Sequence, residues 1–144
     1  MKETNISRRS ALCGVLALSL GLAADLLPEA AQAAAGITQL KNGKIQVTLS
    51  ANKALAKVGG AVILNLNDGS QLGIVRTAAG VKGFSALNLS CPHNFALVNE
   101  VGGKWVCPAH GSVFALNGKL LQGPARQGLS SIPVAATATT LTIG

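Results

Sequence analysis

The chain is poor in charged, aromatic and sulfur-containing residues. Of its 144 residues only 12% are charged, and there are three cysteines, two histidines, one tryptophan, three phenylalanines and no tyrosine. Three cysteines are too few for a disulfide framework. Such a low charge content excludes a disordered chain, which combines high charge with low hydrophobicity. The 49% of hydrophobic residues therefore indicates one packed domain of ordinary size together with an apolar leader.

Acidic residues are also scarce. From residue 34 onward nine lysines and arginines face only Asp68 and Glu100, which leaves a net charge of +7. The bases are scattered singly and no aromatic platform accompanies them, so we expect no nucleic-acid binding. This charge suits an acidic docking surface on a protein partner, an anionic membrane or simple solubility.

The first 35 residues are predicted to be an export signal and not part of the fold. Arg8-Arg9 precedes an apolar run at 11–24, and Ala31-Gln32-Ala33 has the form of a cleavage site. The paired arginines indicate the twin-arginine route, and hence the periplasm or the outer face of the cytoplasmic membrane. The apolar run has 14 residues, short of the roughly 20 that span a bilayer. An ordinary secretory signal and an uncleaved anchor, as the sole membrane contact, remain alternatives.

Short β-type segments, separated by turn signals, follow one another through residues 36–144. Asn42-Gly43 and Asn117-Gly118 are typical of tight hairpins. The predicted class is all-β, an antiparallel sandwich or small barrel in one domain. Residues 51–60 are the one weakly helical or loop-like piece. The predicted strand segments are 44–50, 61–67, 71–77, 84–90, 104–108, 112–116, 119–123, 129–134 and 139–143.

Both histidines and two of the three cysteines lie within twenty residues of each other. Cys91-x-His93 is followed, after thirteen intervening residues, by Cys107-x-x-His110, and each pair contains a proline. Two thiolates and two imidazoles on opposed loops can enclose a metal centre. The donor set suits a tetrahedral zinc ion or a two-iron cluster, and the residue types alone leave both open.

Residues 91–125 resemble the Rieske iron–sulfur family, through Cys-Pro-His, Cys-Pro-Ala-His-Gly-Ser and a later Gly-Pro. The resemblance implies a Rieske-type β fold whose cluster-binding part covers about 88–126. It also implies a [2Fe–2S] cluster with one iron on Cys91 and Cys107 and the other on His93 and His110. By the same resemblance, Ser112 would donate a hydrogen bond to a cluster sulfur, and Gly123 and Pro124 would form a loop that covers the cluster.

The family resemblance further implies a role in electron transfer, with no catalytic residue of the chain's own. Mixed Cys and His ligation gives potentials of roughly −150 to +300 mV. The expected partner is a redox protein, namely a cytochrome, a cupredoxin or a larger oxidoreductase subunit. A zinc-stabilised module outside the cytoplasm and a ferredoxin component of an oxygenase are the alternatives. We do not expect an oxygenase large subunit, because its mononuclear iron needs two further histidines and a carboxylate.

The chain departs from many family members at several positions near the cluster. Ala96 and Ala109 stand where those members have two more cysteines, which form a disulfide, and Phe114 stands where high-potential members have tyrosine. We therefore expect a potential below that of quinol–cytochrome reductase subunits. Trp105 is predicted to pack beneath the cluster. Lys104 and Lys119 are interpreted as solvated surface residues or, alternatively, as a cationic ring at the cluster tip.

Overall fold

The computed structural model describes residues 32–144, so the twin-arginine motif and the apolar run lie outside the described part. In this part the chain forms three sheets and two short 3-10 helices, η1 and η2. The elements are β1 (Gln32–Ala33), β2 (Ile37–Gln39), β3 (Ile45–Thr48), η1 (Leu49–Ala51), η2 (Lys53–Ala56), β4 (Ala61–Asn65), β5 (Gln71–Arg76), β6 (Phe84–Asn88), β7 (Asn99–Glu100), β8 (Lys104–Val106), β9 (Val113–Ala115), β10 (Leu120–Gln122), β11 (Ser131–Ile132), β12 (Val134–Ala136) and β13 (Thr140–Ile143).

The central sheet has the order β1-β4-β5-β6-β11 and is buried on both faces. Successive side chains point to opposite faces of a strand. In β4, Ala61 packs into one core, whereas Val62 and Leu64 pack into the other. Because neither face meets solvent, these strands read as nearly continuous apolar runs and not as an alternation of polar and apolar residues.

A second sheet covers each face of the central one. The sheet β12-β13-β3-β2 closes the first core, with Val47, Leu141 and Ile143 buried against the central strands. The sheet β10-β9-β8-β7 closes the second core, which contains Trp105 and Phe114. We call this sheet the metal sheet, since the loops that carry the cysteines and histidines extend from it. The domain is therefore three layers of β-sheet with two cores.

Residues at the start of the described part are tied to the central sheet. Strand β1 pairs with β4 in parallel, and the amide of Ala34 donates to the carbonyl of Ile63 over 2.7 Å. The Asn52 side chain, which is buried, bonds both backbone groups of Ala35 at 2.8 and 2.7 Å and the carbonyl of Thr48 at 2.8 Å. Residues 32–35, at the end of the predicted export signal, are thus part of the fold.

The prediction of an all-β antiparallel fold is confirmed, and residues 49–56 form only the two 3-10 helices. Each predicted segment contains a strand. Strands β1, β2, β7 and β12 were not predicted as separate elements. Strands β2, β7 and β12 have two or three residues each and no buried residue. No helix within residues 32–144 has the length and apolarity to cross a bilayer.

Candidate metal centre

Three loops at one end of the metal sheet carry the candidate residues. The first metal loop, residues 91–96, follows β6, and the second metal loop, residues 107–112, follows β8. The cover loop, residues 123–125, follows β10 and contains a cis peptide bond between Gly123 and Pro124. Strands β7, β8, β9 and β10 pair in antiparallel fashion, and this brings all three loops to the same end of the sheet.

The two metal loops have the same backbone hydrogen bonds. The amide of Cys91 donates to Ala96 over 2.8 Å, and the amide of Phe95 donates back to Cys91 over 2.7 Å. In the second loop Cys107 donates to the carbonyl of the residue five positions later over 2.8 Å, and Gly111 donates back to Cys107 over 3.0 Å. Phe95 and Gly111 are equivalent in this arrangement, and both have positive φ, 63° and 75°.

The four predicted ligands differ sharply in burial. The cysteines are free thiols within the core, with 0% of Cys91 and 1% of Cys107 exposed. His93 and His110 are exposed. Their rings contact each other edge to face, with centroids 4.8 Å apart. The structure thus places one cysteine and one histidine on each loop, with the thiols inside and the imidazoles at the surface.

Two side chains connect the loops at the surface. Asn94 Nδ2 lies 3.2 Å from His110 Nδ1 and joins the first metal loop to the second. Gln122 Nε2 donates to the carbonyl of Gly111 over 3.3 Å and joins the second metal loop to β10. The sequence analysis missed both residues. For Asn94 a signal was available, because it occupies the same position in its loop that His110 occupies in the other.

Ser112 lies at the base of the second metal loop, fully buried. Its Oγ accepts a hydrogen bond from the amide of Ala125 over 2.9 Å, which ties the cover loop to the metal loop. In the described part of the chain no protein atom accepts a hydrogen bond from this hydroxyl. A buried hydroxyl with a free hydrogen is suited to donate to a cluster sulfur.

The core beneath the loops is built on the one tryptophan of the chain. Trp105 is fully buried in the same core as both cysteines, which confirms its predicted packing role. Its Nε1 donates to the carbonyl of Leu116 over 3.1 Å. A Cβ on Gly73 would lie 2.8 Å from atoms of both Trp105 and Leu89, so the ring occupies the space that a side chain on β5 would fill.

The candidate lysines lie away from the loops. Lys104 pairs with Ala115 at the end of the metal sheet opposite Cys107, and Lys119 belongs to the turn at that same end. Lys104 and Cys107 are three positions apart along an extended strand, so about 10 Å separates their Cα atoms. The alternative of a cationic ring at the cluster tip is therefore wrong for these two residues, and both are exposed at the far end.

The donor set fits a two-iron cluster. A [2Fe–2S] cluster asks for only two protein ligands on each iron. Free buried thiols, a facing pair of imidazoles and a hydroxyl with a hydrogen to donate meet that requirement.

A β fold with these two loops defines the class of small iron–sulfur proteins with mixed Cys and His ligands. The family model of the Rieske [2Fe-2S] domain matches residues 39–133. The chain therefore belongs to the Rieske family, and its cofactor is a [2Fe–2S] cluster, which sets the zinc alternative aside. No curated protein sequence matches the chain.

Solved structures share this fold. The plasma membrane Rieske protein PetC3 from the cyanobacterium Synechocystis PCC 6803 is 32% identical over 67% of this chain and 94% of its own, with a TM-score of 0.53. The quaternary ammonium Rieske monooxygenase CntA is 18% identical over 65% of this chain and 30% of its own, with a TM-score of 0.52. Naphthalene 1,2-dioxygenase is 19% identical over 64% and 24%, also with a TM-score of 0.52. The two oxygenases show the fold alone.

Proposed function

We propose that the chain is an exported carrier of single electrons, with one iron bound by Cys91 and Cys107 and the other by His93 and His110. The observation that carries this proposal is the contrast in burial, with both thiols in the core and both imidazoles exposed. Buried thiols keep water from the sulfur side of the site. Exposed imidazoles give a partner protein a short approach to the iron that they bind.

The residues around the ligands hold the loops in place without metal chemistry of their own. When bound, the [2Fe–2S] cluster supplies one-electron redox chemistry at a potential above that of an all-thiolate site. Ser112 fastens the cover loop through Ala125 and keeps its own hydrogen for the cluster side. Phe114 is fully buried and offers no second hydroxyl. We expect a mid potential, below that of relatives with both hydroxyl groups.

Substitution of single ligands tests the assignment. Native protein is expected to be coloured, to contain about two iron atoms and two sulfides per chain, and to give a rhombic EPR signal when reduced. Cys107→Ser and His110→Ala should lose that signal. Gln127→Ala, an exposed change beyond the cover loop, should keep it. Retention of the full signal by either ligand variant would contradict the assignment.

The redox potential tests the role of Ser112. A hydrogen bond to a cluster sulfur stabilises the reduced, more negative state and so raises the potential. Ser112→Ala should lower the midpoint in a redox titration, and Ser112→Thr, which keeps the hydroxyl, should restore most of it. An unchanged midpoint in Ser112→Ala would show that the hydroxyl points elsewhere.

Export to the periplasm or the outer face of the cytoplasmic membrane is supported by the twin-arginine pattern and by the similarity to a plasma membrane Rieske protein. Replacement of Arg8 and Arg9 by lysine is expected to leave the protein in the cytoplasm when cell fractions are compared. Equal export of this variant would refute the twin-arginine route. A cytochrome, a cupredoxin or a larger oxidoreductase subunit is the proposed partner, and co-purification from native membranes would identify it.

A further inference from the structure

Phe95 combines two unusual properties at the surface of the metal centre. It is 80% exposed, the highest value among the large apolar side chains that are exposed in residues 32–144. It is also the one residue other than glycine in this part with positive φ, at 63°. A bulky residue in the left-handed region is strained, and such strain persists where the surrounding structure enforces it.

The surroundings of Phe95 do enforce this conformation. Its amide donates to Cys91 over 2.7 Å, and its carbonyl accepts from the hydroxyl of Ser90 over 3.2 Å. The equivalent residue of the other metal loop is Gly111, which adopts the same region without strain. The loop thus requires positive φ at this position, and glycine is the residue that meets the requirement at no steric cost. A phenylalanine at this position does not stabilise the loop, and its apolar side chain is exposed to solvent.

The position of Phe95 is beside the exposed edge of the site. His93 lies two residues before it, and the intervening Asn94 contacts His110. The proposed route of electrons to a partner passes over these imidazoles. A protein that covers the histidine edge therefore also meets the Phe95 ring.

The surface around Phe95 has little charge. Apart from the candidate ligands, residues 91–96, 107–112 and 123–125 contain no ionisable side chain, and the one charged residue next to these loops in the chain is the exposed Arg126, directly after the cover loop. Lys104 and Lys119 lie at the opposite end of the metal sheet. A partner that docks by charge pairs would find none in these loops. An uncharged, apolar contact surface is complementary to them.

We propose that Phe95 is the apolar anchor through which a redox protein with an uncharged, apolar surface around its own cofactor docks on the metal loops. This inference rests on the proposed electron-transfer function and names the chemistry of the partner surface. A few side chains buried at the centre of a contact carry most of its affinity, and aromatic residues are prominent among them.

Electron delivery to two oxidants tests the proposal. The reduced holoprotein is mixed in a stopped-flow instrument with oxidised azurin, a copper protein with an apolar patch over its copper site, or with hexacyanoferrate(III). An ionic strength of about 0.5 M suppresses long-range charge effects. Phe95→Gly should lower the second-order rate constant for azurin about tenfold. The rate constant for hexacyanoferrate(III), which needs no apolar contact, should change less than about twofold.

Control variants separate an anchor from other roles. Phe95→Leu should keep most of the azurin rate. Val58→Ser removes an apolar side chain that is 61% exposed and should leave both rates unchanged. Val58 lies away from the metal loops, because its neighbour Gly59 bonds Arg76, and Arg76 pairs with Phe84 at the end of β6 remote from the first metal loop. Equal azurin rates for native protein and Phe95→Gly would overturn the inference. The inference would also be overturned if Val58→Ser lowered the azurin rate constant as much as Phe95→Gly does. The same holds if the azurin rate constant of Phe95→Leu were as low as that of Phe95→Gly.

Failure of the proposed function has a different signature. If the native reduced holoprotein delivers electrons to neither oxidant, the function as an electron carrier is refuted. If it reduces both oxidants and Phe95→Gly does so equally well, only the docking inference is refuted. Rates are expressed per cluster by absorbance, so a variant with incomplete cluster loading is still compared on equal terms.

Discussion

Substitution of Gly73 by alanine is the most direct test of how the metal sheet is attached to the central sheet. Gly73 lies in the middle of β5, opposite Ile63 of β4 and Leu87 of β6. Its added Cβ would come within 2.8 Å of Trp105 and of Leu89. Real Cβ atoms do not approach other atoms so closely, so the ring, the leucine or the strand has to move.

The cost follows from what prevents each movement. Trp105 is fully buried and its Nε1 is bonded to Leu116 over 3.1 Å, while Leu89 is also fully buried. Overpacking of a filled core costs about 1–3 kcal/mol. Loss of the indole hydrogen bond would add about 1 kcal/mol. The lower conformational entropy of alanine in the unfolded chain returns about 0.5–1 kcal/mol. We expect a net loss of about 1–3 kcal/mol.

The chain supplies its own reporter for this measurement. Trp105 is the one tryptophan, so its emission in a urea titration follows the packing that the substitution disturbs. Gly73→Ala should lower the urea midpoint and leave the slope unchanged. Val58→Ser, which alters a side chain that is 61% exposed, is the control and should keep the native midpoint. A midpoint for Gly73→Ala equal to that of the native protein would refute the packing described for these two sheets.

Three further outcomes are expected. Asn52→Ala removes three hydrogen bonds from a buried side chain and should cost about 2–3 kcal/mol in urea unfolding; a loss below about 0.5 kcal/mol would contradict it. Ser112→Ala leaves the buried amide of Ala125 without an acceptor and should cost about 1–3 kcal/mol, whereas full stability would mean that the cover loop is held otherwise. The side chain and amide of Ser70 hold the pKa of Asp68 below its usual 3.8. Stability from this turn is therefore present above pH 3.8 and lost as the pH falls through the lowered pKa. In an NMR titration Ser70→Ala should raise the pKa of Asp68, and an unchanged pKa would contradict this assignment.

The sequence predicts those strands whose own residues and flanking turns are enough to identify them. Asn117-Gly118 between two apolar segments predicts the hairpin of β9 and β10, and the structure has it. Strand β7 has only two residues and is defined by its pairing with Trp105 and Val106. Such a strand has no periodicity to detect. It is recognised as a strand only through its pairing with β8, which begins four residues after β7 ends.

The layer arrangement is a tertiary property and was not predictable from periodicity. Continuous apolar runs such as 61–64 show that a strand is buried but not which sheet covers each face. In the structure Ala61 and Val62 belong to different cores. The sandwich prediction was therefore correct in class and lacked the third layer.

The candidate ligands were recognised from their chemistry and grouping, and their division between two irons from the resemblance to the Rieske family, whereas the contacts around them were not predictable. Cysteine and histidine are rare in this chain, so their grouping at 91–110 is a specific signal. The bond between Ser112 and Ala125 joins residues 13 positions apart, and the positive φ of Phe95 depends on bonds to both sides of its peptide unit. Contacts of this kind are decided only when the loops are folded.

The chain leaves and re-enters the central sheet at adjacent points. Strands β6 and β11 are neighbours, and the amide of Asn88 donates to the carbonyl of Ser130 over 2.8 Å. The segment between these two residues is a single insertion whose ends are hydrogen-bonded to each other. A change in its length would add little to the entropic cost of closing it. The segment between Asn88 and Ser130, which carries the metal sheet and its loops, can therefore be replaced as one unit. The other two sheets would keep their connections.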